Sequence, residues 1–278
     1  PAITPRILDQ YRLDPCRFIE EQCILENAMD GGRTWVRPVL YPLQRQVTND
    51  VLLTTDPETG EPLYTTVLLS WARKMSKTIL AALWWVWRVT CFQNEVVLLA
   101  GPTKNAATEL AFMSAVAVFT KNEVLKNAVG PKIKHGVIRI QGTESEIRAV
   151  SKTYGAQAGV NWTVCHVDEL SFFCDKQMSD YFDTVTTPSP ARISPMVCIT
   201  SYAPIRGKSL LLENIHKRAA RKEPGLYASI VSGARAVTDA CPWISMKFLR
   251  RMKATKPPHV FKRVFLNLMT NDSGQLDR

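Results

Sequence analysis

The chain has 278 residues, of which 46% are hydrophobic and 22% charged, with 13 Gly, 17 Pro and a formal net charge of +10. That is enough chain for a full α/β core without a disulfide or metal staple, and it excludes wholesale disorder and collagen-like repetition. No apolar run approaches the roughly 20 residues of a membrane span, and the opening PAITPRILDQ lacks the basic start and apolar stretch of a secretory signal. A soluble intracellular protein with no membrane partner is expected.

In chain order, residues 1–30 read as an N-terminal extension, irregular apart from a helical stretch over Pro15 to Met29. A second helix is expected from about Leu43, and TDPETGEPL at 55–63 is a turn or hairpin tip. Short apolar strands then alternate with helical segments. TTVLLSWA is a strand, KTILAALWWVWRVTCF a helix, EVVLLAGP a strand and NAATELAFMSAVAVFT an amphipathic helix. A hairpin-like pair follows, with VIRIQG its clearest member and Gly142 at the turn. TVCHVDEL and PMVCITS are buried strands, and SLLLENIHKRAARK is a helix. Such alternation predicts a mostly parallel sheet covered by helices on both faces.

Near residue 206 strands are expected to give way to basic helices and loops. Residues 1–205 carry 20 Lys+Arg against 20 Asp+Glu, whereas 206–278 carry 15 against 5. The basic residues cluster at Lys217, Arg218, Arg221 and Lys222, again at Lys247, Arg250, Arg251, Lys253 and Lys256, and then at Lys262 and Arg263. Spacings of three and four put each cluster on one helix side, which suits either a phosphate backbone or a solvated face. Charge alone does not choose between them.

The seven cysteines form no CxxC pair, and the four histidines lack HxxxH spacing, which argues against a disulfide framework and a zinc site. Trp84, Trp85 and Trp87 in an apolar helix are expected to pack in the core, and Asp175, Asp180 and Asp183 to lie on a polar helix face.

Two places could cradle a nucleotide phosphate, since each runs strand, tight loop, Lys and Ser/Thr, helix. The first is SWARKMSKT, with Ala72, Arg73, Lys74, Met75 and Ser76 in the loop before Lys77 and Thr78. The second is SYAPIRGKS, ending in Lys208 and Ser209. Chain order favours the first. A later apolar strand must end in a carboxylate that holds Mg²⁺, and TVCHVDEL supplies Asp168 and Glu169 after Thr78. No such strand follows Ser209. Two acids ending a buried strand are costly unless a metal or ligand uses them. Lys77 is then the β/γ-phosphate ligand, Thr78 and Asp168 the Mg²⁺ ligands, and Glu169 the base on the attacking water.

SWARKMSKT is similar to the degenerate Walker A motif of tailed-bacteriophage terminase large subunits, the motors that pump DNA into proheads, with Arg73 and Lys74 matching their Arg-Lys pair. AVSKTYGAQAGVNWTVCHVDEL resembles the family's glycine-containing loop and Walker B strand. MVCITSYAP resembles its coupling motif, at Thr200 and Ser201, and LYPLQRQV its adenine-side Q motif, at Tyr41 and Gln44. RVFLNLMTNDSGQ looks like the segment leading out of the motor domain, so the likeness covers about residues 35–275.

The resemblance implies an ASCE/RecA-like P-loop NTPase core over 31–205 with a small basic lid over 206–278, and ATP and Mg²⁺ as cofactors. It implies a γ-phosphate role for Arg73 and a viral protein working in the host cell cytoplasm. Its partners would be double-stranded DNA, with Arg250, Arg251 and Lys253 as contacts, a portal protein and a small terminase subunit. The working form would be a homo-oligomeric ring, with isolated domains possible as monomers. Ser76 stands where the family usually has Gly. Some members place a trans-acting arginine in the loop before the acidic strand. Residues 151–168 contain none, which leaves Arg148, Arg139 and Arg206 as candidates. The family's nuclease carboxylates are also lacking, so the chain reads as the motor domain alone. Two rivals are a superfamily 2 helicase fragment, which needs a second RecA-like domain, and a non-enzymatic basic DNA-binding protein, which leaves Lys77, Asp168 and Glu169 unexplained.

Overall fold

The computed structural model describes residues 3–26, 34–103, 108–150, 160–192 and 194–271. Two helices open the chain, α1 (Pro5–Leu13) and α2 (Pro15–Gln22); each has Pro in its first turn and a side-chain cap, from Thr4 and Asp14. Proline suits that position because its missing N–H would have no helical partner there. The expected helix to Met29 ends earlier. Leu25–Glu26 (β1) pairs instead with Trp35–Val36 (β2). Helix α3 follows over Pro42–Leu53.

The centre of the molecule is an eight-stranded sheet. In chain order its strands are β3 (Thr66–Trp71), β4 (Val96–Ala100), β5 (Pro131–Lys134), β6 (Val137–Ile140), β7 (Ser145–Val150), β8 (Val164–Asp168), β9 (Met196–Ser201) and β10 (Leu226–Val231). Across the sheet they run β10-β3-β9-β8-β4-β7-β6-β5. Strands β10 to β7 in that order are mutually parallel, while β6 and β5 add antiparallel hairpins at one edge. Gly142 lies in the turn between β6 and β7, as its sequence suggested.

Alternation along the strands feeds two cores. On one face Val67, Leu69 and Trp71 of β3 pack with helix α4 (Lys77–Cys91) and with Tyr11, Phe18 and Ile19 of the first two helices. On the other, Leu68 joins Cys165, Val167 and Ile199 beneath α7 (Lys176–Thr186) and α8 (Leu210–Ala220). Between them in sequence lie α5 (Met113–Lys121) and α6 (Glu123–Val129). Trp84, Trp85 and Trp87 are core residues as expected; Trp84 Nε1 donates to Thr48 Oγ1 and Trp87 Nε1 to the Tyr11 carbonyl. Burying an indole with its N–H paired avoids the cost of an orphan donor.

Two sequence expectations need correction. Strands do not end at residue 206, because β10 pairs along its whole length with β3 and so flanks the candidate phosphate loop's own strand. Nor is the stretch before Pro15 irregular, since it forms α1, and its Tyr11 is fully buried in the main core with Phe18 and Ile19. Past β10, α9 (Ala234–Ala240) and α10 (Met246–Thr255) contribute Val237 and Leu249 to that same core. No helix among the described residues is long and apolar enough to cross a membrane.

Candidate active site

In an open parallel sheet, ligands lie beyond the carboxyl ends of the strands, where loops and helix N-termini meet. Three such ends converge here. Strand β3 ends at Trp71 and turns through residues 72–76 into α4. Strand β8 ends at Asp168, and β9, hydrogen-bonded between them, ends at Ser201. The interposed strand therefore puts Thr200 between the loop and the two acids.

The loop is buried at Ala72 and Met75 and exposed at Arg73 and Lys74. Lys74 and Ser76 both take left-handed backbone, at φ 72° and 61°. Such φ values cost a residue with a Cβ about 1–2 kcal/mol, which is the physical content of Ser76 standing at a glycine position. The tight turn holds α4's first amides open at its N-terminus, an arrangement suited to an anion.

The acids face Lys77 and Thr78. Lys77 Nζ, whose side chain is 6% exposed, pairs with Glu169 Oε1 at 3.2 Å. Thr78 Oγ1 donates to Asp168 Oδ1 at 3.0 Å. Thr200 Oγ1 donates to the same oxygen at 2.5 Å, and His166 Nε2 lies 2.8 Å from Thr200 Oγ1. A hydroxyl has one proton; because Thr200 gives its own to Asp168, His166 must donate from Nε2 and carry its lone pair at Nδ1. Among the described residues that nitrogen is buried without a hydrogen-bond partner, which suits a neutral ring better than an imidazolium. Burial pushes the His166 pKa down to about 4, against the opposing pull of Asp168.

Glu169 sits in left-handed backbone at φ 54°, its amide donating to the Thr200 carbonyl at 2.6 Å. Burial lifts its carboxyl above the usual range, although Lys77 opposes the shift. Among the described residues its Oε2 is buried without a hydrogen-bond partner. An unsatisfied buried carboxylate oxygen is costly.

Thr78 and Asp168 present hard oxygen donors to one point, which fits Mg²⁺, a cation usually held by one or two protein oxygens with phosphate and water completing its shell. Among the described residues no cluster of three or more His, Cys, Asp and Glu could hold a metal unaided.

The second phosphate-loop candidate is differently employed. Ser209 is fully buried; its hydroxyl donates to the Ser171 carbonyl and accepts from the Ile205 amide, at 2.9 and 3.1 Å. The acids pair with Lys77 and Thr78 of the first candidate.

The remaining sequence candidates divide. Tyr41 caps α3, and Gln44 Oε1 accepts from the Tyr41 amide at 3.1 Å. The Tyr41 ring meets Trp243 edge-on at 5.0 Å, and Trp243 Nε1 donates to the Lys74 carbonyl at 2.8 Å, so Tyr41 is brought to the loop through a residue that sequence reading did not single out. Ser201 Oγ accepts from the Ser171 amide at 3.1 Å. Arg139 and Arg148 both pair with Glu146 on the hairpin side of the sheet, and Arg206 is exposed near the Thr270 carbonyl, which accepts from its amide. Arg250, Arg251 and Lys253 are exposed on α10, whose Leu249 is buried. Arg218 of the first basic cluster is instead engaged by both carboxylate oxygens of Glu223. The glycine-containing loop at 151–159 lies outside the described residues.

The C-terminal segment is bound to the loop at further points. The Arg73 amide donates to the Val264 carbonyl at 2.7 Å. Asn267 Nδ2 donates to the carbonyls of Ser70 and Val231, at 2.7 and 3.0 Å. Two cations share one ring: Lys77 Nζ is 5.4 Å and the Arg263 guanidinium carbon 4.9 Å from the centroid of Tyr202.

A strand–loop–helix with Lys77 and Thr78 at the helix start, facing two acids across an interposed parallel strand, defines the chain as a P-loop NTPase fold of the ASCE type. Solved structures place that fold more narrowly, with the ATPase portion of phage large terminases. The HK97 bacteriophage large terminase matches with a TM-score of 0.74 at 21% identity, over 92% of this chain and 54% of its own. A large terminase from a thermophilic bacteriophage, solved in complex with ADP, matches with a TM-score of 0.58 at 13% identity, over 82% of this chain and 53% of its own. A mutant of the ATPase domain of the Thermus phage P74-26 large terminase matches with a TM-score of 0.58 at 11% identity, over 84% of this chain and 95% of that domain. The chain thus spans about half the length of the full-length terminases it resembles. No protein-family model and no curated protein sequence matches it.

Proposed function

We propose that this chain is the ATPase motor of a viral DNA-packaging terminase large subunit, coupling Mg-ATP hydrolysis to movement of double-stranded DNA into a prohead. The observation that carries the proposal is the double pairing of Lys77 with Glu169 and Thr78 with Asp168. In this reading Lys77 leaves Glu169 for the β- and γ-phosphates, the amides opening α4 cradle those phosphates, and Arg73 braces the terminal one. Thr78 and Asp168 would hold Mg²⁺, which supplies charge neutralisation along the phosphates. Glu169, released from Lys77 and with its pKa raised by burial, takes the proton of the attacking water. Tyr41 and Trp243 border the base end. Thr200, tied to both Asp168 and His166, carries a change at the acids into β9.

The fold likeness, including a neighbour solved with ADP, supports the same reading, as does the exposed basic face of α10 for DNA. The portal protein, the small terminase subunit, the homo-oligomeric ring and the host cytoplasm belong to this proposal as well.

Binding of a fluorescent ATP analogue with Mg²⁺ tests the site directly, because hydrolysis can require an arginine from a neighbouring subunit. Lys77→Ala is expected to abolish binding while Lys208→Ala spares it. Loss with Lys208→Ala alone moves the site to residues 202–209, and a wild type that binds nothing overturns the motor reading.

A further inference from the structure

The electrostatics of the candidate site are completed by a residue from the far end of the chain. Arg263 lies in the helical turn Phe261–Phe265, whose Phe261, Val264 and Phe265 are buried in the main core. Its backbone is held on the C-terminal side at two points. Val264, the next residue, accepts from the Arg73 amide of the phosphate loop, and Asn267 is bonded to Ser70, just before that loop. The guanidinium is thereby fixed over the Tyr202 ring, the ring that also faces Lys77.

Two features mark Arg263 as more than a brace for that ring. Its Nη1 is closed off from solvent and makes no hydrogen bond among the described residues. Guanidinium N–H groups are obligate donors, and one left buried and unpaired is costly unless an acceptor arrives. Secondly, the Tyr202 ring beneath it also faces Lys77, which pairs with Glu169, so Arg263 shares its surroundings with the cation and the acid of the candidate site. Arg139 and Arg148 lie instead beside the Glu146 carboxylate on the hairpin side of the sheet, although Arg148 Nε, like Arg263 Nη1, is buried without a hydrogen bond among the described residues.

We infer that Arg263 is a phosphate-contacting arginine supplied in cis by the C-terminal segment, and that it distinguishes a nucleoside triphosphate from a diphosphate through the terminal phosphoryl group. A guanidinium suits this task, since its planar fork can give two parallel N–H bonds to phosphate oxygens. The inference rests on the nucleotide-binding reading of Lys77 given above, and it adds the C-terminal segment to the groups that read the nucleotide.

The test measures affinities of this chain for a fluorescent non-hydrolysable ATP analogue and for the matching ADP analogue, both with Mg²⁺. Arg263→Gln, which keeps the stem over Tyr202, and Arg263→Ala are expected to weaken the triphosphate about tenfold or more and the diphosphate less than about threefold. Arg263→Lys recovers part of the loss. Thermal melting of each variant monitors folding, and Tyr202→Ala reports what removing the ring does alone. An unchanged ratio of the two affinities in Arg263→Gln, with Lys77→Ala abolishing binding, overturns this inference and leaves the site intact. Equal losses for both nucleotides, reproduced by Tyr202→Ala, reduce Arg263 to a packing residue and overturn it too. A wild type without nucleotide binding removes the underlying reading as well.

Discussion

Replacing Asn267 with alanine removes the side chain that pins the C-terminal segment to two strands at once. Asn267 is 3% exposed, and its amide donates to the carbonyls of Ser70 on β3 and Val231 on β10. Each missing bond leaves a buried carbonyl short of a donor, at about 1–3 kcal/mol apiece. The residue also has φ 53°, and asparagine tolerates left-handed backbone better than alanine does, by about 1 kcal/mol. The expected loss is about 3–7 kcal/mol, a large part of the roughly 5–15 kcal/mol that stabilises a typical domain. Urea unfolding with linear extrapolation measures it. Asn267→Gly separates the contributions: it accepts the backbone conformation yet lacks the donors, so it falls about 1 kcal/mol short of the alanine loss. Asn267→Asp sets a carboxylate against two carbonyls and is at least as damaging as alanine at pH 7, easing in acid as the group gains a proton. A loss below about 1 kcal/mol for Asn267→Ala refutes the reasoning, because it means that the segment is not anchored by this residue.

Other outcomes follow from the site. Glu169→Gln is expected to retain binding of the ATP analogue and to lower hydrolysis by about 100-fold or more; hydrolysis at the wild-type rate excludes Glu169 as the base. Burial raises the Glu169 pKa above its ordinary 4.5, so activity is lost from a higher pH on acidification than an exposed glutamate would give, and a pH–rate profile locates that limb. His166 is held neutral, its pKa depressed from 6.5 to about 4. Its contribution to stability is complete above pH 6.5 and is lost as the pH falls through about 4, by about 3 kcal/mol in all. His166→Gln, which keeps a donor for Thr200, is expected to flatten stability measured by denaturant across that window, and an unchanged slope rejects the assignment. Removing Arg250, Arg251 and Lys253 together is expected to weaken DNA binding at all sequences and to lower the slope of log K against log salt by about one for each phosphate no longer neutralised. Binding with an unaltered slope places DNA elsewhere.

The sequence carried the site's centre because local chemistry defines it. Lys77 and Thr78 follow an apolar strand and open an apolar helix, while Asp168 and Glu169 end another strand, so spacing alone selected the residues that the fold brings within 3.2 Å and 3.0 Å of each other. Thr200 was legible through its strand. Its bond to Asp168 was not, since that depends on β9 inserting between β3 and β8. Strand β10 was missed because its residues are mostly half-buried and alternate weakly, and a charge count drew attention to the basic residues around it. Trp243 carries no signal in the sequence, and Arg263 and Asn267 show only as part of a basic pair and of the segment RVFLNLMTNDSGQ, with nothing to tie them to the phosphate loop. Trp243 bonds to Lys74, 169 residues away, and Asn267 to Ser70, 197 residues away, and such bonds exist only once α10 and its flanks lie across the phosphate loop.

The stretch from Trp243 to Val264 begins and ends on adjacent residues of that loop, Trp243 bonding to the Lys74 carbonyl and Val264 to the Arg73 amide. Helix α10, with its exposed Lys247, Arg250, Arg251 and Lys253, is therefore the span of a handle whose two feet stand side by side. Under the proposed function, a phosphate bound at Arg73 and Lys74 would meet both ends of this span together, while Leu249 and Phe261 keep its middle buried in the core.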